Sequence, residues 1–414
     1  KQKTAYEIRL SLVGSEMCIR DSIWTVPAEG GIARLLVAHA ATESRPLFSP
    51  DGQQLAFMSM RTGNGDIYVL NLATGVLQRR TFDDGRDQLD AWSRDGQWLY
   101  FSSSAGDIAG MNDVWRVRVK GGQPTAVAAD RYATEYWASP APDNQTIAIT
   151  ARGTVAGQWW RNGHSHLDES ELWLVHNIDA ATPVYERLGE AGGGKDAWPQ
   201  FAPDGQSVYY MSDRSGSENL WQKPLRGAPK KLTSFTKGRV LWPSMAHNGS
   251  AIVFERDYGV WRYDVAKGQA VAIPVVLRGA TIHTVTKGVI QNGTIVMEAG
   301  KITAIGGAEI AVPRGAKVVD VSGKHIYPGL IDAYSTVGIT EIGSVDVSND
   351  INELGDFNPN VRAEVAVNAE SRHIGTTRSA GVLVAFSTPG GGVISGLSSA
   401  MSLEGWTWEE MSMK

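Results

Sequence analysis

A five-residue phrase recurs along the first two thirds of the chain, and it constrains the fold more than any other feature. It reads Phe48-Ser49-Pro50-Asp51-Gly52, Trp92-Ser93-Arg94-Asp95-Gly96, Pro140-Ala141-Pro142-Asp143-Asn144, Phe201-Ala202-Pro203-Asp204-Gly205 and Met245-Ala246-His247-Asn248-Gly249. The final Gly or Asn falls at 52, 96, 144, 205 and 249, so the spacings are 44, 48, 61 and 44. An Asp-Gly or Asn-Gly pair supplies the positive φ of a tight hairpin turn. Downstream of each turn lies an apolar-aromatic strand: Ile67-Tyr68, Val114-Trp115, Leu172-Trp173, Leu220-Trp221 and Val260-Trp261. A half copy, Ile23-Trp24, opens the series. A period of roughly 40–45 residues with several short strands per unit is the signature of a β-propeller. One such unit cannot bury both its faces, so the units must stack in a ring. The expectation is a mainly β chain with about six blades, the first incomplete. Trp115, Trp173, Trp221 and Trp261 hold equivalent places and are expected to be core.

The Ser-Pro-Asp-Gly phrase followed by Asp66-Ile67-Tyr68 resembles the TolB/tricorn type of propeller repeat. The resemblance covers residues 23–275. Propellers of that type serve as protein-binding scaffolds, as gates on peptidases and as extra domains on hydrolases. The long 61-residue spacing carries an insertion, Gln158-Trp159-Trp160-Arg161-Asn162-Gly163-His164-Ser165-His166-Leu167-Asp168-Glu169. Three readings stand for it. His164 and His166 with two acids are of a type that ligates a metal. Trp159, Trp160 and Arg161 suit a recognition or docking rim. The plain alternative is a solvated loop.

From Val276 the pattern changes. Runs of alternating polarity separated by glycines, 277–283, 293–306 and 318–332, indicate a small antiparallel sheet. The phrases Gly300-Lys301-Ile302 with Ala304-Ile305-Gly306, and Gly323-Lys324-His325-Ile326-Tyr327-Pro328-Gly329-Leu330-Ile331-Asp332, resemble the opening of the amidohydrolase superfamily, especially its imidazolonepropionase-like branch. That resemblance implies a small β-sandwich over 276–327 and the first βα units of a truncated TIM barrel over 328–414. In the family the first barrel strand continues Asp-x-His-x-His, and both histidines bind a catalytic divalent metal such as zinc. Here the strand reads Asp332-Ala333-Tyr334-Ser335-Thr336, so Tyr334 and Thr336 stand where the ligands belong. A phenol and an aliphatic hydroxyl are poor ligands for such an ion. A second barrel strand is expected over 380–386, followed by the glycine loop 387–392. Asn358 or Asn368 is expected near the pocket. His373 and Arg378 fall before that strand and are read as structural. Barrel active sites form on the loops after the strands.

The rest bounds the function. The chain has 414 residues, with 39 Lys+Arg against 44 Asp+Glu, a formal net charge of −5. That lacks the basic footprint of a nucleic-acid binder. No apolar run approaches the 18 or so residues of a membrane span. One cysteine, Cys18, excludes a disulfide framework. The run from Thr4 to Ser22 resembles translated sequencing-adapter DNA, so residues 1–22 are expected to add nothing to stability; the alternative is that the incomplete blade borrows the strand-like segment Tyr6–Val13. The 86 residues after Pro328 fall short of the roughly 250 of a whole barrel. Most metal ligands and the catalytic acid would then lie beyond Lys414, and the chain itself is expected to bind no catalytic metal. The leading expectation is a fragment of a hydrolase that attacks C–N bonds other than peptide bonds with metal-activated water. Its partner would be a small amide-type substrate. The alternative is a catalytically degenerate propeller–barrel protein that binds a protein or peptide. TolB-like repeats and scarce cysteine suit a periplasmic or secreted protein, although many cytosolic proteins also lack cysteine. A prolyl-oligopeptidase type of serine peptidase is excluded, because no Gly-x-Ser-x-Gly elbow is present.

Overall fold

The computed structural model describes residues 5–7, 22–27, 31–32, 34–152, 170–189, 194–405 and 407–413. Within them, five four-stranded antiparallel sheets follow one another along the chain. Each is built from consecutive strands in up-and-down order. They span residues 43–79, 88–128, 134–187, 196–231 and 241–273, and form blades one to five in that order.

The repeated phrase is the turn between the first two strands of each blade. Gly52, Gly96, Gly205 and Gly249 have φ of 69°, 70°, 68° and 70°, and Asn144 has φ 55°. This is the left-handed region that Gly and Asn enter at least cost. The turns of successive blades also touch. A Cβ on Gly96 would lie 3.6 Å from Pro50, one on Gly205 3.2 Å from Pro142, and one on Gly249 2.8 Å from Pro203. The proline of one blade thus packs on the turn glycine of the next, which is why the phrase carries both.

The apolar cores lie between blades. Ile67 and Val69 of blade one pack with Leu99, Phe101 and Val117 of blade two. Tyr100 and Val114 of blade two pack with Ile147 and Ile149 of blade three. Ala148 and Leu174 of blade three meet Val208 and Tyr210 of blade four, and Met211 and Leu220 of blade four meet Ile252 and Phe254 of blade five. Trp115, Trp173, Trp221 and Trp261 each pack against one of these cores, but they are half-buried and not enclosed as expected. In three of them an arginine covers part of the ring. Arg187 lies over Trp173 at 5.2 Å, Arg214 over Trp221 at 5.4 Å and Arg256 over Trp261 at 5.6 Å.

Before blade one stands a three-stranded sheet of Ala5–Glu7, Ser22–Pro27 and Arg34–Ala38. Ala5–Glu7 pairs antiparallel with Thr25, Val26 and Pro27, so the incomplete blade takes an edge strand from the adapter-like segment. Its Ile23 and Val37 pack on Leu55, Phe57 and Tyr68 of blade one.

After blade five comes a six-stranded sheet that is mixed, where the glycine-separated runs suggested an antiparallel one. Val275–His283 pairs antiparallel with Val289–Glu298, but parallel with Lys317–Asp320 and with His325–Ile326. The stretch between Gly306 and Lys317 is long enough to carry the chain back before it re-enters in the same direction. Gly31–Ile32, from the N-terminal region, extends this sheet by pairing with Lys317 and Val318. A single core joins Val253 and Val260 of blade five to Val275, Leu277, Ile282, Ile295 and Val319 of the mixed sheet, with Trp24 packed against it. The last described sheet holds Leu330–Ser335, Val382–Ser387 and Ser399–Ser402.

Candidate functional site

The first candidate lies at the end of a parallel strand pair. Leu330–Ser335 and Val382–Ser387 run parallel, and helix Arg372–Ser379 precedes the second strand. Parallel pairing places the C-terminal ends of both strands side by side, where open α/β sheets gather ligand-binding loops. Ser335 pairs with Ser387, and Thr388 N–H donates to the Ser335 carbonyl at 2.9 Å. Tyr334, Thr336 and the glycine loop 387–392 therefore share one end. Tyr334 is 73% exposed, Thr336 is exposed and Asp332 is half-buried. The Asp332 Oδ1 accepts the Tyr334 N–H at 3.2 Å, a local turn that leaves the phenol outside. Among the described residues, no three His, Cys, Asp or Glu side chains gather closely enough to hold an ion. The third strand, Ser399–Ser402, returns antiparallel to Val382–Ser387.

His373 and Arg378, read as structural, and Asn358 and Asn368, expected near the pocket, each bond to neighbouring backbone or side chains. His373 Nε2 lies 2.9 Å from the Glu341 carbonyl. Arg378 pairs with Glu404 and donates to the Leu403 carbonyl at 3.3 Å. Asn368 Nδ2 donates to Glu341 Oε1 at 3.1 Å, and Asn358 Nδ2 to the Gly355 carbonyl at 3.1 Å. In the mixed sheet, His283 Nε2 lies 2.9 Å from His325 Nδ1. Trp159, Trp160, His164 and His166 lie outside the described residues.

The second candidate was not singled out from the sequence. One cavity of about 160 Å³ is lined by residues from the first strand of each of the five blades and from the second and third strands of blade five, among them Arg45, Asp90, Trp137, Trp198, Gln200, Trp242, Ser244 and Glu255. Arg45, Trp137, Trp198 and Trp242 each stand seven positions before their blade's turn residue. Each has a left-handed backbone, with φ of 50°, 58°, 55° and 52°. Each lies at a break in strand register, where an extra residue bulges from the ladder. The bulge brings the side chain to the axis. A non-glycine residue in this region costs roughly 1 kcal/mol or more, and such strain gathers at functional sites. The rings of Trp137 and Trp198 are 4.6 Å apart, and those of Trp198 and Trp242 are 5.4 Å apart.

On the other side of the cavity, Arg45 Nη1 pairs with Asp90 Oδ1 at 3.0 Å, and Arg45 Nη2 donates to Gln88 Oε1 at 2.6 Å. Asp90 also accepts from the Ser102 hydroxyl at 2.5 Å and from Ala138 N–H at 3.2 Å. Burial pushes the Asp90 carboxyl up to about 6, and Arg45 with these donors holds it down only in part. Arg94 links the turns across the ring. It replaces the phrase's proline in blade two, and its guanidinium donates to the His247 carbonyl at 2.9 Å and the Phe201 carbonyl at 2.6 Å, in blades five and four.

Blades that converge on a shared axial cavity, with interlocked turns and cores between neighbours, define a β-propeller. The chain belongs to the family of the tricorn protease N-terminal beta propeller domain, whose model matches residues 16–269. Among curated proteins it is 29% identical over 198 residues to an uncharacterized protein of Agrobacterium fabrum, covering 46% of this chain and 62% of the other. It is 24% identical over 251 residues to tricorn protease homolog 1 of Streptomyces coelicolor, covering 60% of this chain and 22% of the other. A shorter match, 30% over 70 residues, is to adenine deaminase of Clostridium botulinum and covers 17% of this chain and 12% of that enzyme. The chain thus spans only part of the length of these relatives. Among solved structures, TolB from Acinetobacter baumannii is similar with a TM-score of 0.47 at 17% identity, over 60% of this chain and 58% of the other. An amidohydrolase from Thermotoga maritima has a TM-score of 0.32 at 26% identity, over 34% and 36%. No helix among the described residues is long and apolar enough to cross a membrane.

Proposed function

We propose that this chain is the propeller-bearing part of an amidohydrolase-type protein that hydrolyses C–N bonds other than peptide bonds, with 276–327 as the family's small β-sandwich and 328–414 as the start of its TIM barrel. The observation that carries this reading is the parallel pair Leu330–Ser335 and Val382–Ser387 with a helix before its second strand. It follows directly on the Gly-Lys-x-Ile-x-Pro-Gly-Leu-Ile-Asp phrase, and the short similarity to adenine deaminase agrees with it. In this reading a divalent ion such as zinc would supply the activated water. Tyr334 and Thr336 do not fit its usual ligand pair, so they line the pocket mouth, and the ion would be held by later strands of the parent. Asp332 fixes the turn that presents Tyr334. The TolB/tricorn-type Ser-Pro-Asp-Gly repeats and the scarcity of cysteine suit a periplasmic or secreted setting. The test is metal-supplemented hydrolysis of amide-type and aminopurine substrates by the whole parent protein. Turnover abolished by a chelator and restored by zinc or manganese supports the reading. A full-length protein that binds no divalent ion and turns over none of these compounds refutes it.

A second reading has its own observation, the axial cavity with its strained tryptophans. In it the barrel is a degenerate scaffold, and the propeller binds a protein, a peptide or a small ligand. An unaltered affinity of the whole protein for that ligand in the presence of chelator would separate it from the first.

A further inference from the structure

We infer that the propeller holds the barrel part by the N-terminal ends of its strands, as an anchor, and is not a gate over the end that carries Tyr334, Thr336 and the glycine loop. The inference deepens the first reading and rests on its assignment of Leu330–Ser335 and Val382–Ser387 as barrel strands. Chain reach supplies the first tie. Blade five ends at Ile273 and the mixed sheet begins at Val275, with one proline between them. Val253 and Val260 of that blade share a core with Leu277 and Ile282 of the sheet. Thr281 and Ile282 in turn pair with His325 and Ile326. Three residues, Tyr327, Pro328 and Gly329, separate Ile326 from Leu330, where the parallel pair starts. They bridge at most about 14 Å. The start of that strand therefore stays close to a sheet that is packed on blade five.

The second tie is a turn. Asp257 and Tyr258, with φ of 48° and 59°, join the second and third strands of blade five, where Arg256 pairs with Gly259. This is the end of the blade opposite to Asn248-Gly249. The mixed sheet packs against it, since a Cβ on Gly259 would lie 2.9 Å from Ala299. The Tyr258 hydroxyl donates to the Glu404 carbonyl at 3.3 Å, and Arg239 Nη1 lies 3.8 Å from Glu410 Oε1. Glu404 marks the N-terminal end of the barrel strands. Its neighbour Leu403 donates its N–H to the Leu383 carbonyl at 2.9 Å. Glu404 itself pairs with Arg378, in the last turn of the helix that precedes Val382. Both ties thus meet the barrel part at the same end. A six-residue strand is about 17–20 Å long, so the other end lies well beyond them. There Tyr334, Thr336, Phe357 and Val393 are exposed. A gate must cover the site that it guards and move to admit substrate. A propeller fixed at the opposite end leaves that site to solvent, so substrate reaches it without passing the axial cavity.

Thiol accessibility tests this in the whole chain. With Cys18→Ser as background, single cysteines are placed by Thr336→Cys, by Val393→Cys and, as a reference on blade one, by Val76→Cys, all exposed positions. Each is reacted with a small maleimide and with a bulky polyethylene-glycol maleimide, and the ratio of the two rates cancels the thiol's own reactivity. The ratios at 336 and 393 should match that at 76 within about threefold. A bulky reagent slowed more than about tenfold at either position, relative to Val76→Cys, would overturn the inference by showing a covered site. Spin labels supply a second readout that does not depend on reactivity. Asp257→Cys is paired once with Leu330→Cys and once with Thr336→Cys, in chains of unchanged melting temperature. The distance to 336 should exceed that to 330 by about 10 Å or more. An equal or shorter distance would place the propeller at the wrong end and overturn the inference. Neither readout needs metal or turnover. A covered far end in a parent that still hydrolyses its substrate would therefore sink the anchor and leave the first reading standing.

Discussion

Arg94 stands where three of the other four copies place Pro50, Pro142 and Pro203 and the last has His247. In exchange it ties three blades together by two charge-assisted hydrogen bonds to the Phe201 and His247 carbonyls. Such bonds contribute about 1.5–3 kcal/mol each and do not add fully, so Arg94→Ala should cost about 2–4 kcal/mol in urea unfolding. A loss below about 0.5 kcal/mol would mean that the ring holds without this latch. Trp221 makes a complementary case. It packs on the core between blades three and four but remains half-buried under Arg214. Trp221→Ala should therefore cost about 2–3 kcal/mol, below the roughly 3–5 of an enclosed aromatic. Residues of the turn were legible because Gly, Asn and Pro act through local backbone geometry. The axial tryptophans were not, because their role needs five strands to converge. A signal did exist. Arg45, Trp137, Trp198 and Trp242 all stand seven residues before the turn, a register visible once the copies are aligned.

At the scale of elements, the blades were legible and the C-terminal sheets only partly so. Each blade is a local meander with an obvious turn, so sequence neighbours are also spatial neighbours. The mixed sheet breaks that rule. Gly31–Ile32 reaches it from nearly 290 residues away to pair with Lys317 and Val318, and no periodicity announces such a partner. Asp332, Tyr334 and Thr336 were placed on a strand by their phrase, and Asp332 and Tyr334 lie within Leu330–Ser335. What the phrase could not show is that this strand is an edge, with Leu330 59% and Ile331 64% exposed. Tyr334 and Thr336 are both exposed at the end of this strand. Tyr334→His with Thr336→His should therefore create a two-imidazole site that binds zinc weakly, where the unaltered chain shows no added equivalent in dialysis. A double variant that gains no zinc would mean that the two positions do not converge, and would count against the barrel-strand assignment. The mixed sheet also has a testable structural role. It shares its core with blade five and with Trp24. A chain ending at residue 275 should lose that core, expose Val253 and Val260, and melt at a lower temperature than the whole chain. An unchanged melting temperature would show that the propeller closes unaided.

Across the whole molecule, four of the five blades share a buried acidic position nine residues before the turn, held by Glu43, Asp87, Glu135 and Asp196, and blade five has Val240 there. In blades one and four an arginine 18 residues further on answers it, Arg61 on Glu43 at 2.6 Å and Arg214 on Asp196 at 2.5 Å. In blade two the corresponding residue is Ala105. Burial is the main cause that raises these carboxyls: Asp87 and Asp196 to about 6, Glu135 to about 7, and Glu43 in the same direction. Asp90 and Asp113, each at about 6, follow for the same reason. In the unfolded chain these groups lose their protons near pH 4. Between about pH 4 and pH 6–7 the native state therefore holds protons that the unfolded state has released. Stability must fall as pH rises through that window. The loss is on the order of 1.4 kcal/mol for each tenfold difference in a carboxyl's proton affinity between the two states. It is smaller for Glu43, whose carboxylate is held down by hydrogen bonds from Arg61 and Ser59. The ion pairs moderate the effect but do not reverse its sign, because the Asp196 carboxyl stays raised with Arg214 beside it and Glu43 with Arg61 beside it. Denaturant unfolding of the chain should thus give a higher midpoint at pH 5 than at pH 8. Asp87→Asn, which removes one such proton at a site with no arginine 18 residues on, should flatten the slope. A midpoint that rises steadily from pH 5 to pH 8 would show that these carboxyls are ionised in the folded ring.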